Sequence, residues 1–232
     1  VRATSLEEEG RQHPMLSVLH GMKPKNDFFE SSSDSPVAQM SDLEFLQAKA
    51  TYFGLMTEID EQLGRIFDYL KATNQYESTL IVFTSDHGEQ LGDHYLFGKL
   101  GYFDASYHIP LIIRDPKRQL QKVKTLEHFS ESVDVMPTIL DWLGLEIPDQ
   151  CDGRSLLPFL ENQVPRNWRE EVHSEFDFRW IGSYQPMIEE RFGLLPDECS
   201  LVIIRDVDYK YVHMTALPPL FFDVKRDPGE FI

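Results

Sequence analysis

Apolar residues Leu46, Ala50, Phe53, Met56, Ile59, Leu63, Ile66 and Leu70 recur at three- and four-residue steps. That spacing lays side chains along one stripe of an α-helix. The helix has a start signal: Ser41-Asp42-Leu43-Glu44 reads as a capping box, in which hydroxyl and carboxylate satisfy free amides of the first turn. It is expected to run to about Thr73. Gly54 and Gly64 are expected to mark close helix packing. Glu58, Asp60 and Glu61 read as a solvated face beside the stripe rather than as a carboxylate site.

The period then changes. Thr79-Leu80-Ile81-Val82-Phe83-Thr84 is a nearly continuous β-branched and apolar run, which predicts a strand covered on both faces. Leu111-Ile112-Ile113 predicts a second strand. Asp134 is placed to cap a helix through Trp142, with Gly144 ending it and Pro148 just beyond. Ser155 to Leu160 reads as a short helical turn. Past Pro165 strands gather at Glu170 to Phe178, Ser200 to Arg205 and Tyr209 to Met214, the last two joined by a hairpin turn at Asp206-Val207-Asp208. Residues 1–40 carry little pattern and read as a surface-lying connector, with a loop signal in Ser31-Ser32-Ser33-Asp34-Ser35-Pro36. The order predicts an α/β arrangement over residues 1–164 and a smaller α+β subdomain over 165–232.

Chemistry concentrates where the first strand ends, at Ser85-Asp86-His87-Gly88-Glu89. Side chains alternate along a strand, so Asp86 and His87 can face one point only if the chain turns, and Gly88 permits that turn. Carboxyl ends of strands are where open α/β sheets place their sites. Asp86 could instead cap the next segment, with His87 a satisfied polar contact; the placement favours a pair of metal ligands.

Composition narrows the partners. The 232 residues carry a formal charge of −17, which argues against nucleic acid, since phosphate-tracking surfaces need clustered Lys and Arg. A small anionic substrate stays open, because one metal and one lysine can set a local potential. No apolar run approaches a membrane span. A hydrophobic fraction of 41% with 16 Phe, 9 Tyr and 3 Trp is ample for a core. Two distant cysteines, Cys151 and Cys199, form no disulfide framework and favour a reducing compartment.

The run from Ser85 continues through Gln90-Leu91-Gly92-Asp93-His94 to Gly98-Lys99 and Ser106-Tyr107-His108-Ile109-Pro110. It is followed by Ser132-Val133-Asp134-Val135-Met136-Pro137-Thr138, Asp152-Gly153-Arg154, Tyr209-Lys210-Tyr211-Val212, Leu220-Phe221-Phe222-Asp223 and Asp227-Pro228. This order resembles the sulfatase branch of the alkaline phosphatase superfamily, and within it the bacterial phosphonate monoester hydrolases. The family's Cys-X-Pro-Ser-Arg signature, whose cysteine becomes formylglycine, has no match at Cys151 or Cys199, and the early metal-binding aspartate has none either. The chain is therefore expected to be a C-terminal portion, with residues 1–164 the second half of the catalytic α/β domain, whose sheet the resemblance implies is sandwiched by helices.

The resemblance implies a hydrolase of phosphonate monoesters or phosphodiesters, with an arylsulfatase or a non-catalytic scaffold as the other readings. It implies that Asp86 and His87 are two ligands of one divalent metal. An imidazole beside the carboxylate softens the site toward Mn²⁺, Fe²⁺ or Zn²⁺ and away from Ca²⁺; Mn²⁺ is the expected ion, with Fe²⁺, Zn²⁺ or Ca²⁺ as alternatives. Lys99 matches the lysine that contacts the transferred group and is the catalytic and substrate-binding candidate. His94 and His108 read as structural or rim residues, Glu89 and Asp93 as partners that fix a histidine tautomer, and His13 as part of the connector. Tyr102 and Tyr107 could line the pocket or pack in the core. A small anionic ester is the expected partner, with a homo-oligomer in a bacterial cytoplasm as the expected setting.

Overall fold

The computed structural model describes residues 4–29, 34–117, 125–177, 185–195, 198 and 200–231. Residues 31–33 of the expected serine-rich loop, Phe178, Cys199 and the terminal Val1 and Ile232 lie outside that set. The helices are α1 (Leu6–Gln12), α2 (Pro14–Met22), α3 (Asp42–Ala72), α4 (Asp104–Tyr107), α5 (Val135–Leu143), α6 (Leu157–Leu160) and α7 (Gln185–Phe192). The strands are β1 (Ile81–Thr84), β2 (Leu111–Arg114), β3 (Val172–Asp177), β4 (Ser200–Arg205), β5 (Lys210–Met214) and β6 (Leu220–Phe222). β1 and β2 pair antiparallel, with Phe83 opposite Ile112. β3, β4, β5 and β6 form a second antiparallel sheet in chain order.

Where they are described, residues 4–29 and 34–40 are not a surface connector. Ser5 and Glu8 form a capping box that starts α1. Pro14 then opens α2 directly after His13, whose Nδ1 accepts the Met15 amide at 3.1 Å. Proline suits a first helical position because its missing N–H has no partner to lose there. Met15, Leu16 and Leu19 of α2 are fully buried. The helix escapes pattern reading because it is short and apolar on nearly every side, which leaves no polar face to reveal a period.

The main core lies between α2, the loop residues Leu96, Leu100, Tyr102 and Phe103, and the inward-facing Leu201, Ile203, Val212, Met214 and Phe222 of the second sheet. A smaller cluster joins Val37, Met40, Phe45, Ala48 and Phe97. Leu96 and Leu100 enter one core while Phe97 between them enters the other, so the loop after β1 is gripped from two sides.

α3 starts with the capping box at Ser41 and Glu44. Only its first turns are buried, through Phe45 and Ala48. Farther along the stripe, Leu46, Phe53, Met56, Ile59 and Ile66 are 50–59 % exposed. A Cβ on Gly54 or Gly64 would meet nothing within 4 Å, so the close packing expected at these glycines is not formed among the described residues. Phe83 and Ile112 likewise leave apolar surface open, and the cover expected on both faces of β1 is not supplied by the described residues.

Asp134 occupies the residue before α5, yet its carboxylate does not cap that helix. It accepts from the backbone amides of Glu131 at 2.9 Å and Arg154 at 2.8 Å, and from both guanidinium nitrogens of Arg169. Thr138, one turn into α5, accepts the Leu156 amide at 2.9 Å. Together these bonds seat the Asp152-Gly153-Arg154 segment and α6 on α5.

Candidate functional site

Asp86 and His87 follow directly on β1, where the pairing with β2 stops. The Ser85 hydroxyl donates to the His87 carbonyl at 2.7 Å, and the His87 amide donates to Asp86 Oδ1 at 3.1 Å. The Gly88 amide then donates to the Ser106 carbonyl at 2.8 Å. This contact requires glycine, since a Cβ at residue 88 would lie 2.0 Å from the Ala105 carbonyl oxygen. The chain bends at Asp86 and His87, and Gly88 lets it pass close against α4.

The two side chains converge. His87 Nε2 lies 3.7 Å from Asp86 Oδ2, and both groups reach solvent. His87 Nδ1 sits 2.7 Å from the Gly88 carbonyl, which can only accept, so Nδ1 donates there and Nε2 is the ring nitrogen left beside Asp86. A backbone carbonyl thus orients the ring, as outer partners of ligating histidines do. At the Asp86 carboxyl, partial desolvation acts to raise the pKa. The His87 ring, the amides of Asp86 and His87, and the Lys99 ammonium outweigh it and hold the group below its ordinary range. Asp86 is thus kept as a carboxylate, ready to bind a cation.

Lys99 is exposed on the same loop, and its charge reaches Asp86. The loop between them is built tightly. The Gln90 amide donates to the Gly98 carbonyl at 2.9 Å, and the Gly92 amide to the Leu96 carbonyl at 2.7 Å. Glu89 Oε1 accepts from the amides of Leu91 at 2.9 Å and Gly98 at 2.6 Å. Glu89 is therefore a clamp that brings Gly98 and Lys99 back toward the strand end. It does not fix a histidine tautomer, and neither does Asp93, which lies 3.9 Å from Lys49.

The other candidates are placed away from this point. His94 is buried, stacked on Phe103 with ring centroids 3.6 Å apart, and bonded to Glu9 at 3.1 Å. His108 ends α4 and is exposed. His13 is buried at the junction of α1 and α2, and its Nε2 donates to the Pro218 carbonyl at 2.9 Å. Tyr102 is a core residue, and Tyr107 packs against the same core with its hydroxyl on the Gly101 carbonyl at 3.0 Å. Glu58, Asp60 and Glu61 lie exposed on α3. Sequence reasoning missed the share of Ala105 and Ser106, whose backbone carbonyls shape the ligand turn; no side-chain signal marks such a role.

Among the described residues, no group of three or more His, Cys, Asp and Glu side chains gathers into a metal site. What the strand end offers is two donors, one carboxylate oxygen and one imidazole nitrogen, close together. This fits a divalent ion that completes its coordination with groups from elsewhere.

The sulfatase family model matches residues 5–145, and the family model of the C-terminal region of N-sulphoglucosamine sulphohydrolase matches residues 92–232. The multifunctional alkaline phosphatase superfamily protein PehA of Trinickia caryophylli is 52% identical over 231 residues, covering 100% of this chain and 44% of that protein. The crystal structure of the phosphonate monoester hydrolase of Agrobacterium radiobacter superposes with a TM-score of 0.91 at 41% identity, covering 100% of this chain and 45% of that one. The phosphonate monoester hydrolase of Silicibacter pomeroyi gives 0.87 at 38% identity, covering 100% and 44%. The chain thus spans less than half the length of these relatives. With matches that cover both of its halves and a fold shared with these hydrolases, the chain belongs to the sulfatase family.

Proposed function

We propose that the protein is a metal-dependent hydrolase of phosphonate monoesters and phosphodiesters, to which this chain contributes two metal ligands and a substrate-binding lysine. The observation that carries the reading is the Asp86–His87 pair at the end of β1, a carboxylate on one side and a ring oriented by the Gly88 carbonyl on the other. Similarity over the whole chain to phosphonate monoester hydrolases supports the substrate class.

Hydrolysis of such an ester builds charge on nonbridging oxygens and needs a nucleophile activated near neutral pH. A divalent ion held by Asp86 and His87, with Mn²⁺ favoured by the mixed oxygen and nitrogen donors, would supply Lewis acidity for both demands. Lys99 contributes from the protein side, its ammonium neutralising oxygen charge on the bound group without demanding bidentate geometry. Gly88 and the Ala105–Ser106 carbonyls hold His87 in place, and Glu89 holds the loop that carries Lys99. The covalent nucleophile in this reading is a formylglycine outside these 232 residues, since Cys151 and Cys199 lack the Cys-X-Pro-Ser-Arg context. On its own the chain would then be inactive.

The test is the relative kcat/KM of the intact protein on an aryl phosphonate monoester and an aryl sulfate. The expected result is preference for the phosphonate. Preference for the sulfate would move the protein to the arylsulfatases, among which arylsulfatase K of Rattus norvegicus is 29% identical over 222 residues.

A further inference from the structure

Alternation along β5 puts Lys210, Val212 and Met214 on the inner face of the second sheet. An ammonium therefore occupies a position that its strand neighbours fill with apolar atoms, and its side chain is 0% exposed. Lys210 Nζ donates to Asp104 Oδ1 at 3.0 Å and to the carboxylate of Glu230. Glu230 also accepts the backbone amide of Asp104 at 2.7 Å, and Arg205 Nε donates to Asp104 Oδ2 at 3.0 Å. Two cations and two carboxylates thus balance around one residue of α4. Buried ion clusters gain little stability over apolar packing, so geometry is the better account of what this one secures.

Its fixed point is the turn that backs the metal-ligand pair. Asp104 opens α4, and two residues later the Ser106 carbonyl receives the Gly88 amide at 2.8 Å. The Ser106 hydroxyl receives the Gln90 side-chain amide at 2.8 Å, and the Ala105 carbonyl is the wall that Gly88 lies against. An unbroken series of bonds runs from the inner face of β5 to the residue next to His87.

We propose that Lys210, together with Glu230, is a positioning residue for the candidate metal centre, holding α4 where its carbonyls fix the His87–Gly88 turn. The proposal rests on the reading of Asp86 and His87 as metal ligands given above. It assigns a role to the Tyr209-Lys210-Tyr211 motif and to the Glu230 that follows Asp227-Pro228-Gly229, both distant from the site in sequence. Nothing in it requires Lys210 to touch substrate.

The test is made in the intact protein with Lys210→Met, which keeps the stem and removes the charge. Hydrogen–deuterium exchange is followed over residues 85–92 and over α2, and Mn²⁺ affinity is measured by calorimetry. Exchange over 85–92 should rise about tenfold while α2 is unchanged, as for a local opening. Mn²⁺ affinity should fall about 10- to 100-fold, the range for losing an outer partner of a ligand. Unchanged exchange over 85–92, or an equal rise in α2, overturns the proposal, the second outcome marking a merely structural lysine. If Lys210→Met does not fold, Glu230→Gln keeps an acceptor for the Asp104 amide while removing one charge, and the same segment should again exchange faster; no rise overturns the proposal. Asp86→Ala is measured alongside. Unchanged Mn²⁺ affinity there overturns the ligand reading alone, and the link from Lys210 to Gly88 is then judged by exchange.

Discussion

A Cβ placed on Gly88 would lie 2.0 Å from the carbonyl oxygen of Ala105, a distance no real contact tolerates. The partner is backbone rather than the end of a mobile side chain, so the turn and α4 must separate. Gly88→Ala should cost about 3 kcal/mol, the upper end for a forced contact in a packed interior. It should also weaken metal binding, because His87 moves with its neighbour. Gly54→Ala is the contrast. It sits inside α3 with nothing within 4 Å of a new Cβ, so it should gain about 0.5–1 kcal/mol. Urea unfolding of both variants checks the pair, and a Gly88→Ala protein as stable as wild type would show that the turn is not held by α4.

The Asp134 carboxylate, with no exposed surface, joins four donors from three separated segments. Asp134→Ala leaves the amides of Glu131 and Arg154 without their acceptor and the Arg169 guanidinium with only the Glu131 carboxylate at 3.3 Å. Removing one partner of a buried ion pair costs about 3–5 kcal/mol. Arg169→Met should cost less, since Asp134 keeps two backbone amides. The double variant should fall well short of the sum, because both changes break the same network. Additive losses in denaturant titrations would show that the two residues act independently.

Local signals were readable where sequence neighbours make the structure. Ser41 and Glu44 exchange bonds across one helical turn, Gly144 ends α5 in the left-handed region, and Asp206 accepts the amides of Asp208 and Tyr209 in the hairpin. The strand end at Asp86-His87-Gly88 was readable for the same reason. What escaped reading depends on distant partners. α2 is buried by residues more than seventy positions away, Asp134 turns to Arg169 rather than to its own helix, and Glu89 spends its carboxylate on loop amides. A lysine on a strand's inner face cannot be told from a misplaced surface residue until Asp104 and Glu230 are seen beside it.

Acid should destabilise the protein in two stages. Burial lowers the pKa of His13 and His20 below the ordinary 6.5, against the opposing pull of their carbonyl partners. The unfolded chain then binds more protons than the native one, so this contribution is complete above about pH 6.5 and is lost as pH falls below it. At Glu9 desolvation acts upward, but the bonds from His94 and Thr4 outweigh it and hold the carboxyl below 4.5; Lys210 and Arg205 do the same for Asp104 below 3.8. Those contributions fade only under stronger acid. Glu230, raised mainly by burial, acts in the opposite sense and softens the second stage. Melting temperatures should drop between pH 7 and 5, at about 2–4 °C per kcal/mol for a chain of this size. His20→Gln should flatten that slope, and a melting temperature constant from pH 7 to 5 would remove the histidines from the account.

The stripe of α3 predicts how the 232-residue chain behaves on its own. Leu46, Phe53, Met56, Ile59 and Ile66 form one open apolar face, and contiguous apolar surface of this kind drives association. The isolated chain should bind a hydrophobic dye and sediment as more than a monomer. Changing Phe53, Ile59 and Ile66 to Ser should reduce both without touching either core. Dye binding that is unaffected by the triple change would locate the sticky surface elsewhere.

Lys99 offers the sharpest test of the site. Its ammonium is exposed, lies on the loop clamped by Glu89, and helps hold Asp86 ionised. In the proposed reaction the same charge faces oxygens that grow more negative toward the transition state. Lys99→Ala should therefore lower kcat/KM by about two to three orders of magnitude, the scale of losing one preorganised electrostatic donor. Metal content should match wild type, because an ammonium is not a ligand. Lys99→Arg should recover only part of the loss, since the broader guanidinium places its charge differently. Asp86→Ala and His87→Ala should instead lose both metal and activity, so metal analysis separates the two kinds of residue. Near-normal kcat/KM in Lys99→Ala would make this an ordinary surface lysine.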